Sequence, residues 1–412
     1  MKKALSAILL AVLLLSPAGC YDYSEPDEKA WVMALGLDKG RQNVLTVTAV
    51  IAVPKNIAGG GGGQPASGGG GQGGFITVSL ETETLLSALE LLNAVMDRKA
   101  DLSHNKWFVF SRELAEEGIG KYFAPIARFY QFRRTSSVIV CQGRAEEFLA
   151  KGQPKLEDNV GKYYELMHRG WRYTEFIPFD NFHHFYIKSS SPGIEPVAVL
   201  AALERKSPVY ETDAPKTMGR YQAGRIPREG GGNIEIMGGA VFRAGKMLGT
   251  LNGDQVGVQK MFNGTFNRTI VDLPDPEHPD QYIILEVEPR QAPEVRVQIS
   301  DGYPRITASL KLEGDIISIQ SGVNYTRPER LPDLERAVEE ALLENVNNTV
   351  AKSQELGADF LGFGLHAKKL FRTWPEWEAY KWEEKYPLAE VTVNVDYRIR
   401  RSGLLHEMEP LQ

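Results

Sequence analysis

The sequence predicts an α/β (α+β) protein in which mixed β-sheets are flanked by α-helices. Three observations predict it. Strand-length apolar runs rich in β-branched residues alternate with helix-periodic segments through residues 30–149, the pattern of a layer with some parallel pairing. Residues 265–319 alternate with a period of two between turn residues, as half-buried strands do. A long amphipathic helical pattern over 332–356 follows, and a clean alternation over 391–400 returns the chain to a sheet. The chain has 412 residues, 42% hydrophobic and 24% charged, an ordinary globular composition whose length suggests about two or three domains.

The amino terminus reads as a cleaved lipoprotein signal peptide spanning residues 1–19. Met1-Lys2-Lys3 is a basic start, and Ala4 to Leu15 is an apolar run. Its length suits the h-region of a signal and falls short of the roughly twenty apolar residues of a spanning helix. Ser16-Pro17-Ala18-Gly19 then places small residues before Cys20. Pro17 departs from the aliphatic residue usual at its position. Cleavage before Cys20 with diacylglyceryl and N-acyl lipid on its sulfur and amine would hold the protein on the outer face of the membrane, because each buried methylene contributes about 0.8 kcal/mol. A plain secretory cleavage after Gly19 is the alternative, and it leaves Cys20, one of two cysteines, without a reason. Cys141, in the apolar run Val138 to Cys141, is expected to be a buried, inert thiol.

The elements follow in order. Residues 30–37 and 44–53 are a hairpin turned at Asp38-Lys39-Gly40. Residues 57–74 form a flexible glycine-rich insertion between strands; no Lys-Ser/Thr pair follows the glycines, so it is not a phosphate loop. A strand at 75–80 precedes a helix at 84–96 with Leu85, Leu89, Leu92 and Met96 on one face. A strand at 106–110, helices at 113–117 and 120–132, a strand at 136–141 and a helix at 145–149 complete this unit. Residues 162–168 are helical, 176–185 are aromatic-rich, and prolines mark loops around a short apolar run at 198–203. Residues 238–242 and 246–251 read as a hairpin, 254–262 as a helix, and 265–273, 282–287, 294–299 and 305–319 as strands. The 332–356 helix carries Leu334, Val338, Leu342, Val346 and Val350 on its apolar face, and helices are expected at 358–370 and 374–386. These elements group as an N-terminal domain (20–165), a middle domain (166–262), a C-terminal domain (263–403) and a tail (404–412).

The formal net charge is -6, which argues against nucleic acid as a partner because phosphate neutralisation needs a basic surface. The adjacent His183 and His184 do not point at one ion from a regular element, and no cysteine lies near them. Glu116-Glu117 and Glu146-Glu147 read as solvated helix faces, and Trp374, Trp377 and Trp382 as core. No G-x-S-x-G elbow is present. The reading is a protein that is not an enzyme and has no metal or cofactor beyond its lipid. Arg133-Arg134 and Arg398, Arg400 and Arg401 are the candidate partner-binding residues, suited to acidic partner loops or lipid headgroups.

Several stretches, taken in order, resemble the Ger(x)C family, the C subunits of spore germinant receptors. They are Trp31 with Ala34 to Gly40, Ser111 to Ile119, Phe132 to Thr135, Gly238 to Phe242, Lys246 to Gly249, Asp359 to Gly364, Trp382, and Ile399 to Gly403. Tyr21, where the family often has tryptophan, and the glycine tract depart from its pattern. The resemblance implies three α/β domains, each with its own sheet. It also implies assembly with an integral membrane A subunit and a transporter-like B subunit, a place on the outer surface of the spore inner membrane, and a role in nutrient-triggered germination. It transfers no catalytic residue. A surface solute-binding lipoprotein that delivers a ligand to a transporter is the alternative.

Overall fold

The computed structural model describes residues 3–4, 25–53, 74–152, 154–204 and 217–401. The signal peptide apart from residues 3 and 4, Cys20, residues 57–73 of the glycine-rich insertion, and the 404–412 tail lie outside the described residues.

Strands β1 (Lys29–Lys39) and β2 (Leu45–Ala52) form the expected antiparallel hairpin, with Leu37 opposite Val47. β3 (Phe75–Thr82) returns along β2, so the glycine-rich tract joins two adjacent antiparallel strands at the Ala52–Phe75 pair. Helix α1 (Leu85–Val95) starts at Thr84, whose hydroxyl accepts the Ser87 N–H at 3.1 Å, a side-chain N-cap. β4 (Lys99–Asp101) and β5 (Trp107–Ser111) both run parallel to β1. Then come α2 (Arg112–Glu117), α3 (Phe123–Arg128), β6 (Ser137–Cys141), α4 (Ala145–Lys151), α5 (Val160–His168), α6 (Phe182–Ser189) and β7 (Val197–Leu203). β8 (Ile234–Arg243) and β9 (Lys246–Leu251) make a hairpin turned at Ala244 and Gly245, both with positive φ.

These nine strands form one sheet in the order β3-β2-β1-β5-β6-β7-β8-β9, with β4 beside β1. Its centre, β1-β5-β6-β7, is parallel and its margins are antiparallel. A parallel centre has to be covered on both faces. Phe108, Phe110, Val138 and Val140 pack with apolar residues of α1, α2, α3 and α6, and their neighbours Trp107, Val109, Ile139 and Cys141 pack with those of α4 and α5. Cys141 is free and buried, and burial pushes its thiol well above the usual range, as expected for an inert position.

Helix α7 (Gly253–Phe262) leads into the second sheet: β10 (Thr269–Pro274), β11 (Tyr282–Pro289), β12 (Glu294–Ser300), β13 (Tyr303–Ile319) and β14 (Glu390–Arg401). β13 is the spine. Its first half pairs with β12, its second half with β11, and β14 runs parallel along it. Helix α8 (Leu331–Glu355) covers one face, burying all five of the predicted apolar positions. α9 (Phe363–Ala367), α10 (Trp374–Tyr380) and α11 (Trp382–Lys385) follow and contribute to the same apolar core.

The structure corrects the sequence reading in four places. Among the described residues two sheets form where three were implied. The strands of the expected middle unit complete the first sheet, because Val199, Leu200 and Ala201 of β7 pair with Ile139, Val140 and Cys141 of β6 and β8-β9 follow. The 120–132 helix is short: the chain becomes extended at Phe129 and buries Phe132 against Phe108. The 374–386 helix is broken at Lys381, which adopts φ +57°, and of 358–370 the α-helical part is α9 alone.

Phe108 is fully buried and its ring meets those of Phe132 and Phe182. Phe108→Ala is expected to destabilise the protein by about 3–5 kcal/mol, read as a shift in the midpoint of chemical denaturation.

Candidate functional site

The two sheets meet around one buried carboxylate. After α8 the chain turns through Leu356 and Gly357, and Asp359 is buried completely. Its Oδ1 accepts the N–H groups of Gly362 at 2.8 Å and Phe363 at 3.0 Å. Its Oδ2 accepts the N–H of Gly364 at 2.6 Å and the indole N–H of Trp382 at 3.1 Å. Burial still outweighs these bonds and raises the Asp359 carboxyl to about 6. Trp382 lies between Trp377 and Tyr386, with ring centroids 5.9 and 5.6 Å away, and the Tyr386 hydroxyl hydrogen-bonds Ser353.

The first sheet arrives at this turn through residues 192–196 and through β8. The Glu195 N–H donates to the Asp359 carbonyl at 3.1 Å, the Phe242 N–H to the Pro196 carbonyl at 3.0 Å, and Arg243 Nη1 to the Gly357 carbonyl at 2.8 Å. The backbones of Gly193 and Gly364 touch: a Cβ on Gly364 would sit 2.5 Å from Gly193 Cα and 2.6 Å from Trp382 Nε1. Apolar packing is continuous across the contact, since Val197, Val241 and Leu251 of the first sheet share a core with Phe360, Phe363 and Trp382.

Glu195 is the chemically unusual group here. It is 6% exposed, and its Oε2 has no hydrogen-bond partner. Desolvation, followed by the negative charges of Asp359 and Glu383, raises its carboxyl to about 8, with Arg243 pulling the other way. It lines a cavity of about 410 Å³ together with Ser189, Ser190, Ser191, Arg243 and Glu383. A buried ion pair, Lys260 with Glu175, ties α7 to the segment before α6: Lys260 Nζ also donates to the Trp171 carbonyl, and Glu175 Oε1 accepts the N–H groups of Asn267 and Arg268.

The predicted partner-binding residues fall on both sheets. Arg133 and Arg134 are exposed between α3 and β6, and Arg134 Nη2 donates to the Ala127 carbonyl at 3.3 Å. Arg400 and Arg401 are exposed at the end of β14. Arg400 is engaged within its own sheet, 2.7 Å from Glu288, 3.2 Å from Glu313 and 3.3 Å from Asp315. Arg398 pairs with Glu335 at 3.0 Å. Trp377 and Trp382 are core as read, whereas Trp374 is 44% exposed with Lys368 over its ring. His183 and His184 are neighbours on α6, and among the described residues no group of three metal-ligating side chains forms.

Several stretches behind the family resemblance have structural work. Gly36 lets α4 lie against β1, because a Cβ there would sit 2.8 Å from Leu149 Cδ1. Asp38 accepts the Ala145 and Glu146 N–H groups, both at 2.8 Å, and so caps α4. Ser111 caps α2 through the Leu114 N–H at 3.3 Å. Asp359, Gly364 and Trp382 belong to stretches singled out in the sequence. Glu195 and Arg243 were missed as site residues, since one lies in a proline-marked loop and the other ends a strand.

Known proteins match this arrangement over most of its length. The family described as "Spore germination protein N-terminal domain" matches residues 22–203, and "Spore germination B3/ GerAC like, C-terminal" matches residues 237–403. The chain belongs to the Ger(x)C family of spore germination proteins. Spore germination protein KC of Bacillus subtilis (strain 168) is 24% identical over 415 residues, covering 98% of this chain and 97% of that protein. The putative spore germination protein YfkR of the same organism is 22% identical, covering 98% and 97%. The crystal structure of the GerBC protein superposes with a TM-score of 0.52 at 15% identity, covering 89% of this chain and 96% of that one, so the mixed α/β fold is shared.

Two predictions follow from the junction. Asp359 and Glu195 both have carboxyl groups raised above their ordinary values of 3.8 and 4.5. Their protonated forms therefore favour the folded state. That contribution is full below pH 4 or so and is lost as pH rises through about 6 and 8. Glu195→Gln should remove on the order of 3 kcal/mol of this loss between acid and mildly alkaline pH, measured by denaturation across that range. Gly364→Ala should destabilise by about 1–3 kcal/mol or more, because the added methyl meets backbone; a thermal melt reads it.

Proposed function

We propose that this protein is a lipid-anchored, non-catalytic subunit of a nutrient germinant receptor, required for spore germination. One observation carries the reading: two germination-family matches in the same order, at 22–203 and 237–403, on a chain aligned nearly end to end with named spore germination proteins. In this reading the partners are integral membrane A and B subunits and membrane lipid, and nucleic acid has no part. No cofactor is assigned beyond the diacylglyceryl and N-acyl lipid on Cys20. The protein sits on the outer face of the spore inner membrane. The small residues before Cys20, after the apolar run from Ala4 to Leu15, support an anchor at Cys20; among the described residues no helix is long and apolar enough to cross a membrane. The domain plan is a signal at 1–19, a unit at 20–165, a segment at 166–262 whose strands complete that unit's sheet, a unit at 263–403, and the tail.

Arg133 and Arg134 are the stronger of the partner-facing candidates, because they are exposed and Arg400 already faces three carboxylates of its own sheet. Arg401 remains the candidate at the β14 end. The junction cavity is the observation that favours the alternative, a surface solute-binding lipoprotein. The two readings differ in the phenotype of loss, germination in one and solute uptake in the other.

Deleting the gene should abolish the response to one class of germinant while spores form normally; normal germination in a strain with no redundant receptor would contradict the proposal. Cys20→Ala should move the protein from the membrane to the soluble fraction. Arg133→Glu with Arg134→Glu should slow germination while changing stability by no more than about 0.5 kcal/mol, read by optical density loss of spores and by denaturation of the purified protein.

A further inference from the structure

We infer that the junction cavity over Glu195 binds a small molecule through a primary ammonium group. The cavity has a volume of about 410 Å³, in the range of small-ligand sites. Glu195 lines it, is nearly buried, and has a carboxyl oxygen with no hydrogen-bond partner. Buried polar groups are normally paired, so this oxygen is an open place for a hydrogen-bond partner.

The nearby groups do not fill that place. Arg243 Nη1 is committed to the Gly357 carbonyl at 2.8 Å, and Lys188 Nζ to Asp180 at 3.1 Å. The Tyr386 hydroxyl is committed to Ser353, and the Asp359 carboxylate is surrounded by its own four donors. Ser189 and Ser190, on the cavity wall, donate their hydroxyl protons to the Phe185 and Tyr186 carbonyls at 2.8 and 2.9 Å. What these serines have left is acceptor lone pairs. Lys188 and Arg243 also line the cavity, with the commitments just given, and beside them it offers a carboxyl group, a second carboxylate at Glu383 and hydroxyl acceptors.

An ammonium group complements this set: three N–H donors and one positive charge in a compact head. A divalent cation is a poorer match, because among the described residues no group of three His, Cys, Asp or Glu is placed to hold one.

Binding is coupled to a proton. The charged groups that act on Glu195 are Asp359, Glu383 and Arg243; desolvation and the charges of Asp359 and Glu383, against the opposing pull of Arg243, keep its carboxyl protonated at neutral pH. An ammonium ion beside it favours the carboxylate, so the carboxyl proton leaves to solvent as the ion pair forms. Affinity should then rise with pH up to the carboxyl's own range, by up to about tenfold per pH unit. This inference concerns an occupant of the junction, goes beyond the receptor reading and does not rest on it.

The test uses the full-length lipidated protein in detergent, titrated with n-propylammonium and 1,4-diaminobutane chlorides, with 1-propanol and sodium chloride as controls. Ligand-observed NMR reports weak binding, and calorimetry in two buffers of different ionisation enthalpy reports the proton. Saturable binding of the ammonium compounds alone, with a buffer-dependent heat at neutral pH, is expected. Glu195→Gln should weaken it at least about tenfold without lowering the neutral-pH melting temperature, since the amide resembles the protonated acid. Glu383→Gln, at the edge of the cavity, should weaken it less. Absence of saturable binding, equal binding by Glu195→Gln, or binding of a lysine peptide but of neither amine would each overturn the inference.

Discussion

Asp359 places a carboxyl group where water does not reach, and the surrounding chain is shaped to satisfy its oxygens. Three successive backbone N–H groups and one indole N–H converge on it. Leaving such a group unpaired costs roughly 1–3 kcal/mol, and more when it is charged. The bonds fix the start of α9 and the position of Trp382, and Trp382 in turn orders Trp377 and Tyr386. The Asp359 carbonyl faces the other way and accepts the Glu195 N–H. One residue thus organises the second sheet's turn and receives the first sheet. Apolar contact from Val197, Val241 and Leu251 extends the joint. The β7–β8 ladder adds a second tie, because it joins strands from the segments matched by the two separate family descriptions.

Much of the fold was legible locally. Apolar runs separated by turn residues marked the β1–β2 and β8–β9 hairpins, alternation marked the strands of the second sheet, and helical spacing marked the buried face of α8. The sheet count was not legible, because pairing of Ile139 with Val199 joins segments far apart in the chain, and periodicity reports only near neighbours. The break at Lys381 was hidden for a related reason: lysine is an ordinary helix former, and its positive φ here is a property of the packed end of α10. The candidate site was half legible. Asp359 and Trp382 stand in recognisable stretches, while Glu195 is one acid among loop residues whose significance comes from what is folded around it.

Residues in the stretches that carry the resemblance largely build architecture: a close approach at Gly36, caps at Asp38 and Ser111, and a satisfied carboxylate at Asp359. In the receptor reading proposed above, the protein acts through the surfaces that this architecture presents. The arginines illustrate how structure sorts surface candidates. Arg400 is opposed by three carboxylates of its own sheet, whereas Arg133 and Arg134 project from a loop between α3 and β6. The junction places a raised acid beside an open cavity where the two sheets meet.

The most direct measurement is purification of the tagged, full-length protein from detergent-solubilised spore membranes, beside a Cys20→Ala control. The receptor account predicts that two integral membrane proteins co-purify, and that in the control they are lost or the protein moves to the soluble fraction. A protein that stays in the membrane and brings neither partner would contradict it.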